Sequence, residues 1–109
     1  MTVSSNTSGS QTATISTEHT LATITTANVY VLVVDANAMV NGDTLELRIY
    51  TKAKTGSSSR VAYYQVFDNV QGAPNLISVP VPIDTEFKAT LKQTAGTGRT
   101  FDWNILQLQ

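Results

Sequence analysis

DTLELRIYTK, residues 43–52, shows the clearest side-chain alternation in the chain. Three aliphatic residues occupy every second position of this stretch: Leu45, Leu47 and Ile49. Because successive side chains of a β-strand point to opposite faces, the pattern predicts a strand with one face in a core and the other toward solvent. Arg48, Tyr50 and Lys52 belong to the outward face of this strand.

Short β-branched or alternating runs, separated by turn residues, fill most of the remaining chain. They cover residues 12–17, 21–26, 28–34, 61–70, 76–81, 86–92 and 100–108. No segment keeps apolar residues at the helical spacing over the roughly ten residues that a helix needs. About eight short strands must bury one face against a second sheet, so the sequence predicts an all-β fold, an antiparallel β-sandwich or jelly roll.

Residues 28–34, NVYVLVV, are apolar on both alternating faces. Valines occupy one face, and the other carries Tyr30, Leu32 and Val34. A strand that is apolar on both sides is either central in the sandwich with both faces covered, or it lies at a contact between subunits. Tyr30 is therefore a candidate for a subunit interface.

The first 17 residues contain no charged side chain and are dominated by Ser and Thr. Such a composition buries little apolar surface, so we expect residues 1–17 to form a flexible N-terminal arm and residues 18–109 to form the β-sandwich domain. An extended arm can add a strand to the sheet of another protein through main-chain hydrogen bonds. Candidate partner-binding residues at the base of the arm are Thr12, Thr14, Ile15 and Thr17.

Composition excludes several classes of partner. The net charge of −1 lacks the basic excess that binding to nucleic acid requires. The chain has no cysteine, so the core must hold the domain without disulfides or thiolate metal sites. Its longest apolar run, residues 29–34, is too short to cross a bilayer, and the N-terminus has no secretory signal pattern. We therefore expect synthesis in the cytoplasm and no membrane partner.

Side chains that could carry chemistry are sparse. His19 is the only histidine, and it lies beside Glu18 close to the predicted arm, with no nucleophile motif to complete a catalytic set. One imidazole with scattered carboxylates gives no metal-ligand spacing. The sequence predicts no catalytic residue, no metal site and no cofactor.

Outward-facing aromatic residues are the remaining candidates for recognition. Tyr50 stands between Arg48 and Lys52 on the outward face, and either Tyr63 or Tyr64 must also face outward because neighbours alternate. We take Tyr64 as the candidate. Aromatic platforms with polar neighbours bind sugars, which suggests a carbohydrate-binding or host-recognition module. Tyrosines at such positions equally pair across strands or lie in subunit interfaces.

Residues 20–52, 60–67 and 78–108 together resemble small virion proteins encoded among the structural genes of tailed bacteriophages. The likeness covers most of the chain beyond the arm and lies in the overall pattern. Within that group the chain is most similar to capsid decoration, or cement, proteins. The resemblance implies a non-enzymatic β-sandwich protein that forms a homotrimer, binds the major capsid protein and lies on the outer surface of the head. The alternative is a module of a phage tail or fibre.

Overall fold

The computed structural model describes residues 2–108, which contain nine β-strands and no helix. The strands are β1 (Val3–Thr12), β2 (Glu18–Ile24), β3 (Asn28–Asp35), β4 (Thr44–Thr51), β5 (Arg60–Asp68), β6 (Asn75–Ile77), β7 (Val81–Ile83), β8 (Phe87–Ala95) and β9 (Thr100–Leu108). Nothing in this part of the chain is a helix long and apolar enough to span a membrane. The all-β prediction is confirmed.

The strands form two antiparallel sheets that pack face to face. The first sheet has the order β1-β9-β3-β6, with β7 also paired to β3, and the second has the order β2-β8-β4-β5. Apart from the β4–β5 and β6–β7 connections, each link crosses from one sheet to the other. This alternation gives the jelly-roll order of strands, which the short strands and frequent turns of the sequence predict.

The core lies between the inward faces of the two sheets. Its largest fully buried apolar side chains are Tyr30, Leu32, Val34, Leu45, Leu47, Ile49, Phe87, Leu91, Phe101 and Ile105. The predicted inward set of β4 is thus confirmed, since all three aliphatic residues of that strand are buried. Because each sheet contributes alternate residues, the remaining positions of every strand form two outer faces.

Strand β3 occupies a central position, between β9 on one side and β6 and β7 on the other. Tyr30 faces the core with no exposed surface, its ring lies 5.2 Å from that of Phe87, and its hydroxyl donates to the carbonyl of Thr26 at 2.7 Å. The prediction that Tyr30 forms an interface or ligand platform is therefore wrong. The other apolar side of β3 forms part of the outer face of the first sheet.

The predicted N-terminal arm is also wrong for most of its length. Residues Val3–Thr12 form the edge strand β1, which pairs with β9 from Val3 opposite Leu108 to Thr12 opposite Thr100. The physical reason is that β9 would otherwise expose a row of unpaired main-chain groups. Main-chain hydrogen bonds satisfy that row whatever the side chains are, so a Ser/Thr-rich segment suffices at an edge.

Residues 12–17 are predicted as a strand, but Thr12 ends β1 and residues 13–17 form the turn that leads from the first sheet to the second. The amide of Thr17 donates to the carbonyl of Thr14 at 3.0 Å, and Ser16 adopts a left-handed φ of 67°. The amide of Ser16 also donates to the carbonyl of Gln93 in β8 at 2.8 Å. The turn is thereby fixed against the second sheet.

The predicted strand at residues 76–81 is divided into β6 and β7. Pro80 lies between them and has no amide to donate to a ladder. Ser78 bridges the interruption, because its amide donates to the carbonyl of Leu32 and its hydroxyl accepts from the amide of Leu32, both at 2.9 Å. The division of this one predicted strand into two explains why the structure has nine strands instead of about eight.

An ion pair with a buried carboxylate connects the two sheets at one end of the sandwich. The Nε of Arg99 lies 2.8 Å from Oδ2 of Asp43, and Asp43 is only 1% exposed. Burial of the Asp43 carboxylate opposes its ionisation, but hydrogen bonds from Arg99 and from the amide of Val40 outweigh burial and lower its pKa. Gly96, with a φ of 89°, passes directly over Asp43, where a Cβ would collide with the carboxylate.

Candidate interaction surfaces

The outer face of the first sheet is apolar at one end. A groove of about 230 Å³ there is lined almost entirely by apolar side chains. They are Val3 of β1, Val29 and Val31 of β3, Leu106 and Leu108 of β9, and Pro80, and we call this set the apolar face. Ile77, the last residue of β6, and Val79, which precedes Pro80, are both exposed. Sequence reasoning found the apolar valines of β3 but could not place strands β1 and β9 beside them.

The other end of the same outer face is polar. Asp35 of β3 lies directly opposite Asp102 of β9, and both line an open trough of about 440 Å³. The Ser10 hydroxyl lies 2.5 Å from Oδ1 of Asp102, and the Asn37 amide donates to Asp35 at 2.9 Å. Among residues 2–108 no group of three or more His, Cys, Asp or Glu side chains is arranged to hold a metal ion. The trough therefore offers hydrogen-bond acceptors in a shallow, open setting.

The outer face of the second sheet carries a network of charged and hydroxyl groups. Oε2 of Glu18 accepts hydrogen bonds from the hydroxyls of Tyr50 at 2.6 Å and Thr90 at 2.7 Å. Burial opposes ionisation of Glu18, but these two hydrogen bonds and the nearby cations Arg48 and Lys88 outweigh it and lower its pKa. The hydrogen bond to Glu18, together with burial, raises the pKa of Tyr50. The Glu18 carboxylate thus has hydroxyl and cationic partners on its own face.

Arg48 and Tyr64 stack on the same face. The Arg48 guanidinium carbon lies 4.6 Å from the centroid of the Tyr64 ring and pairs with Glu46 at 2.8 Å. Tyr64 is 49% exposed, whereas Lys88 covers the ring of Tyr50 at 4.4 Å. The structure thus brings Arg48, Tyr50 and Tyr64 together on the outer face, with Tyr64 as the accessible ring. Lys52 follows the last residue of β4 and is half-buried.

The four candidates at the base of the predicted arm lie at the end of β1 that is remote from the apolar face. Thr12 closes β1 beside Thr100, with the two hydroxyl oxygens 2.9 Å apart. Thr14, Ile15 and Thr17 are exposed in the following turn. Nε2 of His19 accepts a hydrogen bond from the amide of Thr14 at 3.0 Å, so the single histidine holds this turn in place. A partner contact at the turn stays a prediction.

Strand β5 forms one of the two edges of the second sheet, a position that the sequence did not reveal. Tyr63 and Phe67 turn inward and pack partly against the core, whereas Val61, Tyr64 and Val66 are exposed. The run VAYYQVF has little alternation in polarity, which is the one sequence signal that could have distinguished β5 from a regular half-buried strand.

No family model, no curated protein and no solved structure matches the chain.

Proposed function

We propose that this protein is a non-enzymatic virion structural protein, a phage capsid decoration protein that binds the major capsid protein on the outer surface of the head and stabilises the shell. The apolar face carries the proposal. Apolar side chains that gather on the outer face of a sheet are candidates for contacts with partners. The jelly roll, an architecture used by viral capsid proteins, and the resemblance in sequence to phage virion proteins support the same class of function.

Each of two regions of the chain makes a different contact in this proposal. The apolar face, which includes Val3 and Leu106, is the contact between copies of the chain in a homotrimer. The turn at Thr14, Ile15 and Thr17 binds the major capsid protein. These regions lie about 30 Å apart, at opposite ends of the ten-residue strand β1. Because the two regions are far apart, both can contact their partners at the same time. A trimer would present three copies of the turn to the shell, and several weak contacts together would give firm attachment.

A pair of matched valine variants tests the trimer contact. Val3 and Val70 are each 59% exposed, but only Val3 lines the apolar face. We expect Val3→Asp to abolish the trimer in solution and to weaken attachment to heads that lack the protein by about tenfold or more. Val70→Asp should change neither the mass nor the attachment. A wild-type monomer that fails to bind such heads would contradict the proposal.

Changes in the turn test the shell contact separately. Ile15→Asp and Thr17→Asp should leave the trimer intact while weakening attachment to heads, because these side chains are exposed and outside the core. The measurement is co-sedimentation of labelled protein with heads, with mass by light scattering as the control. If both variants attach as wild type does, the capsid protein binds another surface.

A second candidate function is recognition of a host carbohydrate by a phage tail or fibre. The accessible ring of Tyr64, next to Arg48 and Tyr50, is the observation that favours it, since exposed aromatic rings with polar neighbours bind sugars. Binding on a glycan array that Tyr64→Ala or Tyr50→Ala abolishes would support this function. A blank array with wild-type protein would count against it.

A further inference from the structure

We infer that two copies of the chain pair through strand β5, edge to edge and antiparallel, so that the second sheet continues across a two-fold axis. The inference goes beyond the proposed function and does not rest on it. It depends on the composition of β5, on its position at the edge of the second sheet, and on the distribution of charge along it.

Strand β5 has the features of an edge that associates. It is nine residues long, it contains neither proline nor lysine, and its outer side presents exposed Val61, Tyr64 and Val66. Natural proteins avoid association at such edges with prolines, inward charges or short strands. Strand β5 has no proline and no inward charge, and its single bulge, at Ala62, lies near one end, so the main-chain groups beyond the bulge form a template for another strand.

The other sheet edges are protected. At one edge of the first sheet, β6 and β7 are three residues each, and Pro80 and Pro82 interrupt that edge. At the opposite edge, β1 carries polar side chains almost throughout. Strand β2 has seven residues against nine in β5, and each of these two strands has one bulge, so β2 offers the shorter edge. The comparison singles out β5.

The charges along β5 indicate which strand pairs with this edge. Along Arg60–Asp68 the only charged residues are the two at the ends, and they have opposite signs. An antiparallel pair of identical strands places each Arg60 beside the Asp68 of the other copy, so the attraction occurs twice in one dimer. A second copy of this chain therefore complements the edge at both ends.

The register follows from the same symmetry. A two-fold axis at Tyr64 sets Tyr64 opposite its own mate, Tyr63 opposite Gln65, and Ala62 opposite Val66. The bulge near Ala62 displaces Arg60 by one position, but diagonal neighbours in an antiparallel pair stay within reach of long side chains. Pairing would cover the exposed valines and place the two accessible tyrosine rings side by side.

Charge reversal with rescue tests the inference. We expect wild-type protein to show a dimerisation step that depends on concentration in sedimentation experiments. Arg60→Asp or Asp68→Arg should each raise the dissociation constant of that step about tenfold, because each change acts at both ends of the dimer. The double variant with both reversals should restore the wild-type constant. Asp84→Arg, the same reversal at an exposed residue outside β5, should have no effect.

A second measurement keeps the test independent of the variants. Amide hydrogen exchange at residues 60–68 should slow as the concentration of wild-type protein rises, while exchange in β8, which lies inside the second sheet, stays unchanged. Absence of any such association, or association that ignores both single reversals, would overturn the inference. A trimer insensitive to Arg60 and Asp68 would leave the proposed decoration function standing and remove only the pairing of β5.

Discussion

Strands β1 and β5 are edge strands of nearly equal length in different sheets, and most of their residues are exposed. Their compositions differ sharply. Strand β1 is uncharged and rich in Ser and Thr, whereas β5 contains valines and aromatic residues between two charged ends. An edge position therefore requires main-chain pairing and imposes little on the side chains. The side chains at an edge can either hinder or favour association with a strand of another molecule.

The two strands are held in different ways. Side chains of β1 form hydrogen bonds with β9, among them Ser5 to Asn104 at 2.6 Å and Asn6 to Gln107 at 2.9 Å. Strand β5 instead contributes Tyr63 and Phe67 to the margin of the core. Polar contacts in solvent stabilise weakly, so the main-chain ladder supplies most of the stabilisation of β1.

A single ion pair nevertheless anchors the ends of both strands. The amide of Ala13, just after β1, donates to the carbonyl of Arg99 at 2.8 Å. The amide of Asn69, just after β5, donates to the carbonyl of Asp43 at 2.8 Å. Because Asp43 and Arg99 form the ion pair described above, damage at this point should loosen both edges together.

Removal of β1 should have the largest effect on stability. Deletion of residues 2–12 takes away the ladder on β9 and uncovers Trp103, whose ring lies against Gly9. We expect the free energy of unfolding to fall by more than about 3 kcal/mol, measured by urea denaturation. Unchanged stability would instead show that residues 2–12 behave as the detached arm that their composition predicts.

Loss of the shared anchor should rank second. In Asp43→Asn the Arg99 guanidinium loses its charged partner, and because its side chain is 27% exposed, water can compensate in part. We expect a loss of about 2–3 kcal/mol in the free energy of unfolding. Amide exchange should accelerate at the ends of both β1 and β5. Faster exchange at only one of them would show that the ion pair does not anchor both strands.

Side-chain truncation should separate the two strands. Phe67→Ala in β5 removes a half-buried ring from the margin of the core and should cost about 1.5 kcal/mol. Thr7→Ala in β1, also at a half-buried position, should cost under about 0.5 kcal/mol, because that strand depends on its main chain. Thermal denaturation of the two variants measures the difference, and equal losses would contradict it.

Acid should produce the smallest and most gradual effect. The pKa of Asp43 is lowered in the folded protein, so its carboxylate stabilises the fold fully above the unfolded value of about 3.9 and progressively less as the pH falls through the folded value. We expect wild-type stability to decline below about pH 4. The decline should be shallower in Asp43→Asn, and an identical slope would show that other carboxylates control acid unfolding.

Much of the fold could be predicted from local patterns. The alternation in residues 43–52 identified β4 and its inward side chains, and it placed Arg48 and Tyr50 on the outer face, where the structure has them. The double apolar character of residues 28–34 indicated a central strand. The role of Tyr30 was not predictable, because both faces of that strand are apolar and only the packing of the second sheet decides which one is buried.

Other features depended on contacts between residues far apart in the chain. Asp43 and Arg99 are 56 positions apart, and neither has a local pattern that marks it as buried and paired. The apolar face gathers Val3, Val31 and Leu106 from three strands, and it exists only because β1 and β9 lie beside β3. The edge position of β5 likewise follows from the order of strands.

The sequence by itself determined that the chain is all β, which residues of the regular strands turn inward, and that no helix would form, because these properties depend on side chains that are neighbours in the chain. Only the tertiary structure decided that residues 3–12 are a strand and which faces remain open. Those outcomes depend on the main-chain groups of a strand far away in the sequence, which must be paired. The composition of a local segment does not indicate whether such a strand will lie beside it.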